Sequence, residues 1–161
     1  MMTNGTTENV QGEIASLLPR LRRFARSLTR NVHDADDVVQ IAVERALTHI
    51  AQRRCDMRLD GWLFKIVRNA WIDEIRFRKR RDEVFLAEDT ASAEAGGQLD
   101  DALSIRAALS RLPQEQRLAV SLVLVEGLSY QEAADVLDVP IGTLTSRLAR
   151  ARQALQAALQ A

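Results

Sequence analysis

The sequence predicts an all-α protein, and three observations carry that prediction. Hydrophobic residues make up 47% of the 161 residues, whereas aromatic residues make up only 4%. Glycine and proline, the residues that most disfavour helices, occur only 7 and 3 times. The apolar residues recur at spacings of three and four, which is the period of an amphipathic helix. This composition and this period together favour helical domains.

Three helices are predicted in the first half of the chain. The first carries apolar residues at helical spacing over residues 14–28, and Pro19 inside it predicts a kink or a restart. The second covers residues 34–50 and opens with aspartates, which suit a helix N-terminus. A polar loop over residues 51–60 separates it from the third helix, at residues 61–81.

The ends of the predicted domains follow from composition. Residues 1–12 are polar and lack a signal-peptide core, so we expect a disordered N-terminus. Residues 82–101 hold seven acidic residues and no basic one, which predicts a flexible acidic linker at 82–100. A plain solvated loop explains this stretch equally well. The two small helical domains are then expected at residues 13–81 and 101–161.

The second domain is predicted to contain four short helices that end in a helix-turn-helix. They cover residues 102–112, 114–125, 129–137 and 141–158. Ser129 and Glu132 have the spacing of a capping box at the start of the third helix. Pro140 cannot continue that helix, so residues 138–140 form a turn. A short helix, a tight turn and a longer helix are typical of DNA-binding domains.

Charge is segregated along the chain although the net charge is zero. Residues 62–81 carry seven basic and two acidic residues, and residues 141–161 carry three arginines and no acid. A net charge of zero argues against a nucleic-acid partner, but the segregation of the charges is more informative than their sum. It indicates a nucleic-acid partner. Cys55 is the only cysteine and no apolar run approaches ~20 residues, so a cytoplasmic protein without membrane insertion is expected.

The last helix has one apolar side and one polar side. Leu144, Leu148 and Ala151 lie on the apolar side, with Arg152 near its edge. The candidate DNA-binding residues lie on the other side: Thr143, Thr145, Ser146, Arg147 and Arg150. Hydroxyls and arginines without a carboxylate suit a major groove, whereas the competing interpretation is an ordinary solvated face.

The helix at residues 61–81 carries a basic stripe that suits a phosphate backbone. Its candidate DNA-binding residues share about a third of the circumference: Lys65, Arg68, Asn69, Arg76 and Lys79. Trp62, Trp71 and Phe77 belong to the broad apolar remainder. Core packing is the favoured interpretation for the two tryptophans, ahead of stacking on bases.

The helix at residues 34–50 presents a polar face with one apolar residue in it. Asp37, Gln40 and Glu44 surround Ile41 on this face. An isolated exposed isoleucine is ordinary, but it also suits the anchor of a partner protein, and both interpretations stay open.

No pattern of catalysis is found. His33 and His49 have no cysteine or carboxylate cluster at metal-ligand spacing, and Cys55 has no histidine nearby. A glycine-rich phosphate loop is also absent from the sequence. We therefore expect no enzyme activity, metal, cofactor or small-molecule substrate.

Five motifs, in this order, resemble the extracytoplasmic-function group of the sigma-70 family over about residues 14–155. They are Asp34–Gln40, Trp62–Asn69, Leu112–Pro113, Gly127–Ala134 and Val139–Arg152. The resemblance implies a sigma factor that binds core RNA polymerase and directs promoter-specific initiation, with an anti-sigma factor as a further partner.

The resemblance also implies roles for the residues selected above. The face with Asp37, Gln40, Ile41 and Glu44 would dock on the clamp coiled coil of the largest polymerase subunit. The loop at residues 51–60 and the face holding Asn69 would melt and read the proximal promoter element. The helix at residues 141–152 would read the distal element as duplex DNA.

The sequence departs from the family pattern at three places, and two other classes of protein stay open. Ile41 stands where an acid is usual, Thr145 stands where Lys or Arg is common, and the loop at residues 51–60 has no aromatic residue. One alternative is a helix-turn-helix regulator that binds DNA without polymerase. The other is a helical adaptor whose basic stripe binds an acidic protein.

Overall fold

Both halves of the chain fold into helices, as predicted. The structure, a computed structural model, describes residues 4–53, 56–82 and 100–160, and every regular element in these ranges is helical. The chain divides into two compact units after residue 86. The acidic linker predicted at residues 82–100 lies almost wholly outside the described residues. None of the described helices is both long and apolar enough to cross a membrane.

The first unit consists of three helices that pack on one another in all three pairs. They are α1 (Asn4–Thr29), α2 (Val32–His49) and α3 (Leu59–Asp82), with a short 3₁₀ turn (Ile50–Gln52) after α2. Phe24 and Phe64 meet edge to face in the core, with ring centroids 5.2 Å apart. The remaining large side chains that are fully buried in this core are Leu21, Val38, Leu63 and Val67.

The start of α1 differs from the disordered segment predicted for residues 1–12. The helix begins at Asn4, and Asn9 Nδ2 donates to Glu13 Oε1 at 3.3 Å, an i,i+4 pair on its surface. The polar segment that predicted disorder contains Gly5 and Gly12, and α1 accommodates both glycines. The helix also continues through Pro19, where no restart occurs. Ala15, whose carbonyl loses its N–H partner there, is exposed to water.

The start of α2 lies two residues before the predicted one because Asn31 caps it. The Asn31 side chain accepts from the backbone N–H groups of His33 (2.9 Å) and Asp34 (3.1 Å). Arg30 has a left-handed φ of 58°, which turns the chain between α1 and α2. The aspartates that predicted the helix start therefore lie in its first two turns.

Within residues 100–160, the second unit contains four α-helices, with the last one packed against the other three. They are α4 (Asp100–Arg111), α5 (Gln114–Val120), α6 (Tyr130–Leu137) and α7 (Ile141–Gln160), and α7 packs on each of the others. The helix predicted at residues 114–125 ends instead in a π-helical turn, Ser121–Val125. Glu126 N–H donates to the Ser121 carbonyl, five residues back, at 2.9 Å.

The predicted helix-turn-helix is confirmed. Ser129 Oγ accepts from Glu132 N–H at 3.1 Å, and Glu132 Oε2 accepts from Ser129 N–H at 2.8 Å, which completes the capping box. Asp138 ends α6 in the left-handed conformation, with φ 55°. Ala133 and Ala134 are fully buried, and such small side chains permit α6 to approach α7 closely.

Candidate functional surfaces

The rotation of α7 agrees with the predicted one. Leu144, Leu148 and Ala151 are buried against the rest of the second unit. The five candidate DNA-binding residues lie on the other side: Thr145, Ser146 and Arg150 exposed, Thr143 and Arg147 half-buried. The polar side of α7 is thus free of the core, as a groove-binding helix requires.

The three arginines of α7 have different surroundings. An Arg147 Nη2 atom lies 3.5 Å from Glu115 Oε2 on α5. Arg152 Nη2 donates to the Tyr130 hydroxyl at 3.4 Å. Arg150 is exposed and contacts no acid within residues 100–160 as described. Of the three, Arg150 therefore has the guanidinium most available to a ligand.

The hydroxyl group of Thr145 is hydrogen-bonded within α7. Its Oγ1 donates to the Ile141 carbonyl at 2.9 Å. Such a bond to the preceding turn is a local alternative for a threonine hydroxyl in a helix. Thr145 therefore presents mainly its methyl group to the polar side of α7.

The basic stripe of α3 faces water along most of its length. Asn69, Arg76 and Lys79 are exposed, whereas Lys65 and Arg68 are half-buried. In the part of the chain that the structure describes, the three exposed side chains make no hydrogen bond or ion pair. Their polar groups are thus available to an anionic ligand.

Two acidic residues in the middle of α3, Asp73 and Glu74, form ion pairs with arginines and so do not oppose the stripe. Asp73 Oδ2 accepts from Arg45 Nη1 of α2 at 2.9 Å. Glu74 Oε1 accepts from Arg78 Nε at 2.9 Å, an i,i+4 pair. Both carboxylates therefore have cationic partners within the first unit.

The aromatic residues of α3 divide into buried and exposed ones. Trp71 is 7% exposed, which confirms core packing, and Trp62 is half-buried. The apolar pattern of α3 predicts that Phe77 faces the core, but Phe77 is 52% exposed. The sequence gives one indication that the Phe77 ring is not in the core, which is that its neighbours are arginines and a lysine.

The predicted polymerase-binding residues line one groove between α2 and α3. This open groove has a volume of about 280 Å³ and is lined by Asp34, Asp37, Val38, Gln40, Ile41, Glu44, Glu74 and Arg78. Asp37, Gln40 and Glu44 are exposed, whereas Ile41 is half-buried beside the buried Val38. Ile41 therefore forms an apolar floor between acidic and amide groups, and it is not an isolated surface residue.

Arg78 joins the two helices at one end of this groove. Its Nη2 donates to Asp34 Oδ1 at 2.8 Å and its Nη1 donates to Asp34 Oδ2 at 3.2 Å. Its guanidinium also lies 5.4 Å from the Trp71 ring centroid. The hydrogen bonds to Asp34 raise the pKa of Arg78 above its ordinary value. Burial, the second-largest effect, lowers it, and the hydrogen bond to Glu74 raises it further.

The loop predicted at residues 51–60 is shorter in the structure, because a 3₁₀ turn covers Ile50–Gln52 and α3 begins at Leu59. Asp60 lies in the first turn of α3 and is buried, and its Oδ1 accepts from Gly61 N–H at 2.8 Å. Arg20 and Arg58 each approach its Oδ2 to 3.3 Å. Residues 54 and 55 lie outside the described part of the chain. Asp60 therefore anchors the end of the loop to α1.

Comparison with known families agrees with these two units. Residues 14–81 match the family described as Sigma-70 region 2, and residues 102–155 match the family described as Sigma-70, region 4. The chain belongs to the extracytoplasmic-function (ECF) group of the sigma-70 family of RNA polymerase sigma factors.

Individual relatives are similar over nearly the whole chain. The ECF RNA polymerase sigma factor EcfG of Rhodopseudomonas palustris is 39% identical over 158 residues, which cover 95% of this chain and 86% of that protein. The ECF RNA polymerase sigma factor SigM of Mycobacterium tuberculosis is 38% identical, with 84% and 69% covered. The sigma factor RpoE of Bartonella quintana, solved in complex with the anti-sigma factor NepR, superposes with a TM-score of 0.77 at 34% identity, covering 95% and 98%.

Membership of this family defines the activity. The chain is a sigma factor that binds core RNA polymerase and promoter DNA and directs promoter-specific transcription initiation. The family is regulatory and non-enzymatic. The two alternative classes were a helix-turn-helix regulator that acts without polymerase and a helical adaptor. Neither explains the match of residues 14–81 to Sigma-70 region 2.

Proposed function

We propose that the groove between α2 and α3 is the surface through which this sigma factor docks on polymerase. Asp37, Gln40, Ile41 and Glu44 would contact the clamp coiled coil of the largest polymerase subunit. The combination of exposed carboxylates with a half-buried isoleucine supports this role. A helical partner with basic and apolar side chains complements such a groove. Ile41 gives this contact a more apolar centre than an acid at its position would.

The basic stripe of α3 binds the proximal promoter element in this proposal. Lys65, Arg68, Arg76 and Lys79 act on phosphates, because basic side chains along one helix face match a continuous backbone. Asn69 lies among them and carries an amide, which reads a base edge. We assign it to an unpaired base of the opened element, together with the loop before α3.

The polar side of α7 reads the distal element as duplex DNA. Thr143, Thr145, Ser146, Arg147 and Arg150 are the contacts that we assign. The observation that carries the assignment is the burial of Leu144 and Leu148. Because they hold the opposite side of α7 in the core, only the polar side is available to a major groove.

The compartment and the regulation follow from the same role. A factor that works with core polymerase and promoter DNA acts in the cytoplasm, and we assign no catalytic activity to the chain. An anti-sigma factor is the proposed inhibitor, because the related Bartonella quintana protein was solved with one. Covering the docking groove or α7 would suffice to prevent initiation.

Binding of promoter DNA with and without core polymerase tests these assignments together. The isolated protein should bind a promoter fragment weakly, and addition of core enzyme should create specific complexes that initiate RNA synthesis. A matched fragment with scrambled promoter elements is the control. Tight, specific binding by the protein alone would contradict the dependence on polymerase and favour a regulator of the repressor type.

A further inference from the structure

Arg78 belongs to the basic run of α3 in the sequence but not to its basic stripe in the structure. Arg76 and Lys79, its near neighbours, are exposed and face water. The guanidinium of Arg78 instead turns toward α2 and lines the docking groove. Arg78 is therefore a basic residue on the acidic surface of the first unit.

The guanidinium of Arg78 is almost completely engaged there. Both of its Nη atoms donate to the two oxygens of Asp34, its Nε donates to Glu74, and one face covers the Trp71 ring. This geometry requires arginine. A lysine ammonium cannot form two parallel hydrogen bonds to both carboxylate oxygens of Asp34, and it has no planar face to stack on the Trp71 ring.

We propose that Arg78 is a positioning residue for polymerase docking, which ties the first turn of α2 to α3 and thereby sets the docking groove. The proposal rests on the docking role assigned to that groove. By pairing Asp34 and Glu74, Arg78 leaves Asp37 and Glu44 as the carboxylates that a partner can engage.

The position of Asp34 explains why this pair matters. Asp34 lies in the first turn of α2, directly after the Asn31 cap and the left-handed turn at Arg30. Its partner lies 44 residues further along the chain, in the last two turns of α3. The pair therefore joins two segments that local structure does not connect, and the docking residues follow Asp34 by one to three turns.

Loss of Arg78 would change the groove in two ways. The start of α2 would lose its side-chain hydrogen bonds to α3, and Asp34 and Glu74 would become unpaired. Four carboxylates would then share one groove, since Asp37 and Glu44 already line it. Their mutual repulsion would open the groove or shift α2.

The test measures two properties of the full chain. Arg78→Ala should weaken binding to core polymerase by about tenfold at unchanged helicity. With saturating core enzyme, its promoter complex should keep the salt dependence of the unaltered protein. Arg76→Ala is the matched control: it should keep its affinity for core enzyme and lose about one unit of salt slope. A smaller salt slope for Arg78→Ala, or unchanged core affinity, would overturn the proposal.

A double-mutant cycle with Asp34→Asn identifies the pair itself. Each single variant should weaken core binding to a similar extent, and the double variant should lose little more, because both changes break the same link. Additive losses would overturn the proposal. If Arg78→Ala does not fold, Arg78→Lys replaces it in the cycle with the same criterion.

A separate variant distinguishes failure of the positioning role from failure of the docking role. Asp37→Asn combined with Glu44→Gln removes the two available carboxylates and leaves the Arg78 pair intact. Weaker core binding by this variant, with normal binding by Arg78→Ala, would reject only the positioning role. Normal core binding by this variant would reject the docking groove itself.

Discussion

The side chains of Arg147 and Glu115 lie 3.5 Å apart, so α5 holds an arginine of α7. The Arg147 side chain is 20% exposed, whereas Glu115 is 71% exposed. Arg150, one turn further along α7, has no such partner among the described residues 100–160. The two arginines proposed to contact the distal element therefore differ in their surroundings: Arg147 has an ion-pair partner and Arg150 is exposed. Substitutions should distinguish their contributions to DNA binding.

Glu115→Gln should raise affinity for promoter DNA by up to about fivefold, since an exposed ion pair contributes about 0–1 kcal/mol. The neutral side chain no longer competes with phosphate or base for Arg147. The measurement is the affinity of the holoenzyme for a promoter fragment. Glu115→Gln combined with Arg147→Ala should show no gain, and a gain in that background would mean that Glu115 acts by another route.

Arg150→Ala should reduce promoter-specific initiation by about 10- to 100-fold, because a bidentate arginine–guanine contact discriminates by about 1–3 kcal/mol. Arg152→Ala is the matched control and should matter much less, because Arg152 is directed to the Tyr130 hydroxyl. A promoter library transcribed with each variant measures both effects. Equal damage from Arg152→Ala in a folded protein would mean that α7 enters the groove with a different rotation.

Gln40→Ala combined with Ile41→Asp should weaken binding to core polymerase by about tenfold, or about 1.4 kcal/mol. The change removes an amide from the docking groove and puts a carboxylate on its apolar floor. Circular dichroism provides the control for normal helicity. Unchanged affinity for core enzyme would show that polymerase docks elsewhere on the first unit.

Asn69→Ala should reduce initiation on a duplex promoter by about tenfold, equivalent to about 1.4 kcal/mol. A template already opened across the proximal element should suffer much less, because the cost of unpairing is removed. Rates on the two templates, measured with the same holoenzyme, provide the comparison. Equal losses on both would remove Asn69 from promoter opening.

Ser129→Ala should lower the free energy of unfolding of the second unit by about 1 kcal/mol, the ordinary cost of losing a helix N-cap. The hydroxyl that accepts from Glu132 N–H is removed, so half of the capping box is lost. Thermal unfolding followed by circular dichroism measures the change. Ser146→Ala, in the middle of α7, is the control and should not destabilise the unit.

The features that could be predicted from the sequence are those set by local rules. The period of Leu144 and Leu148 predicts the rotation of α7, and the spacing of Ser129 and Glu132 predicts the start of α6. Both depend only on residues within one or two turns, where helix geometry fixes the distances. Residue roles on α2, α3 and α7 remain proposals.

The features that could not be predicted depend on distant partners. Arg78 resembles its basic neighbours in the sequence, and only Asp34, 44 residues away, withdraws it from the basic stripe. Phe77 matches the apolar pattern of α3, but nothing packs over it enough to bury it. The start of α1 was missed because a polar segment offers no hydrophobic period, although it can still extend an existing helix.

The π-helical turn Ser121–Val125 is a point in the second unit where we expect the fold to tolerate the loss of one residue. A π turn holds one residue more than an α turn, and the exposed Leu124 and Val125 lie within it. Deleting one of them should convert the turn to an ordinary α turn and leave the buried Leu122 and Leu128 in the core. Deleting a residue of α7 before Arg150 would instead turn every later side chain by about 100° and move Arg150 off the polar side of the helix. A one-residue change of length at this turn should therefore leave the register of α7 unchanged.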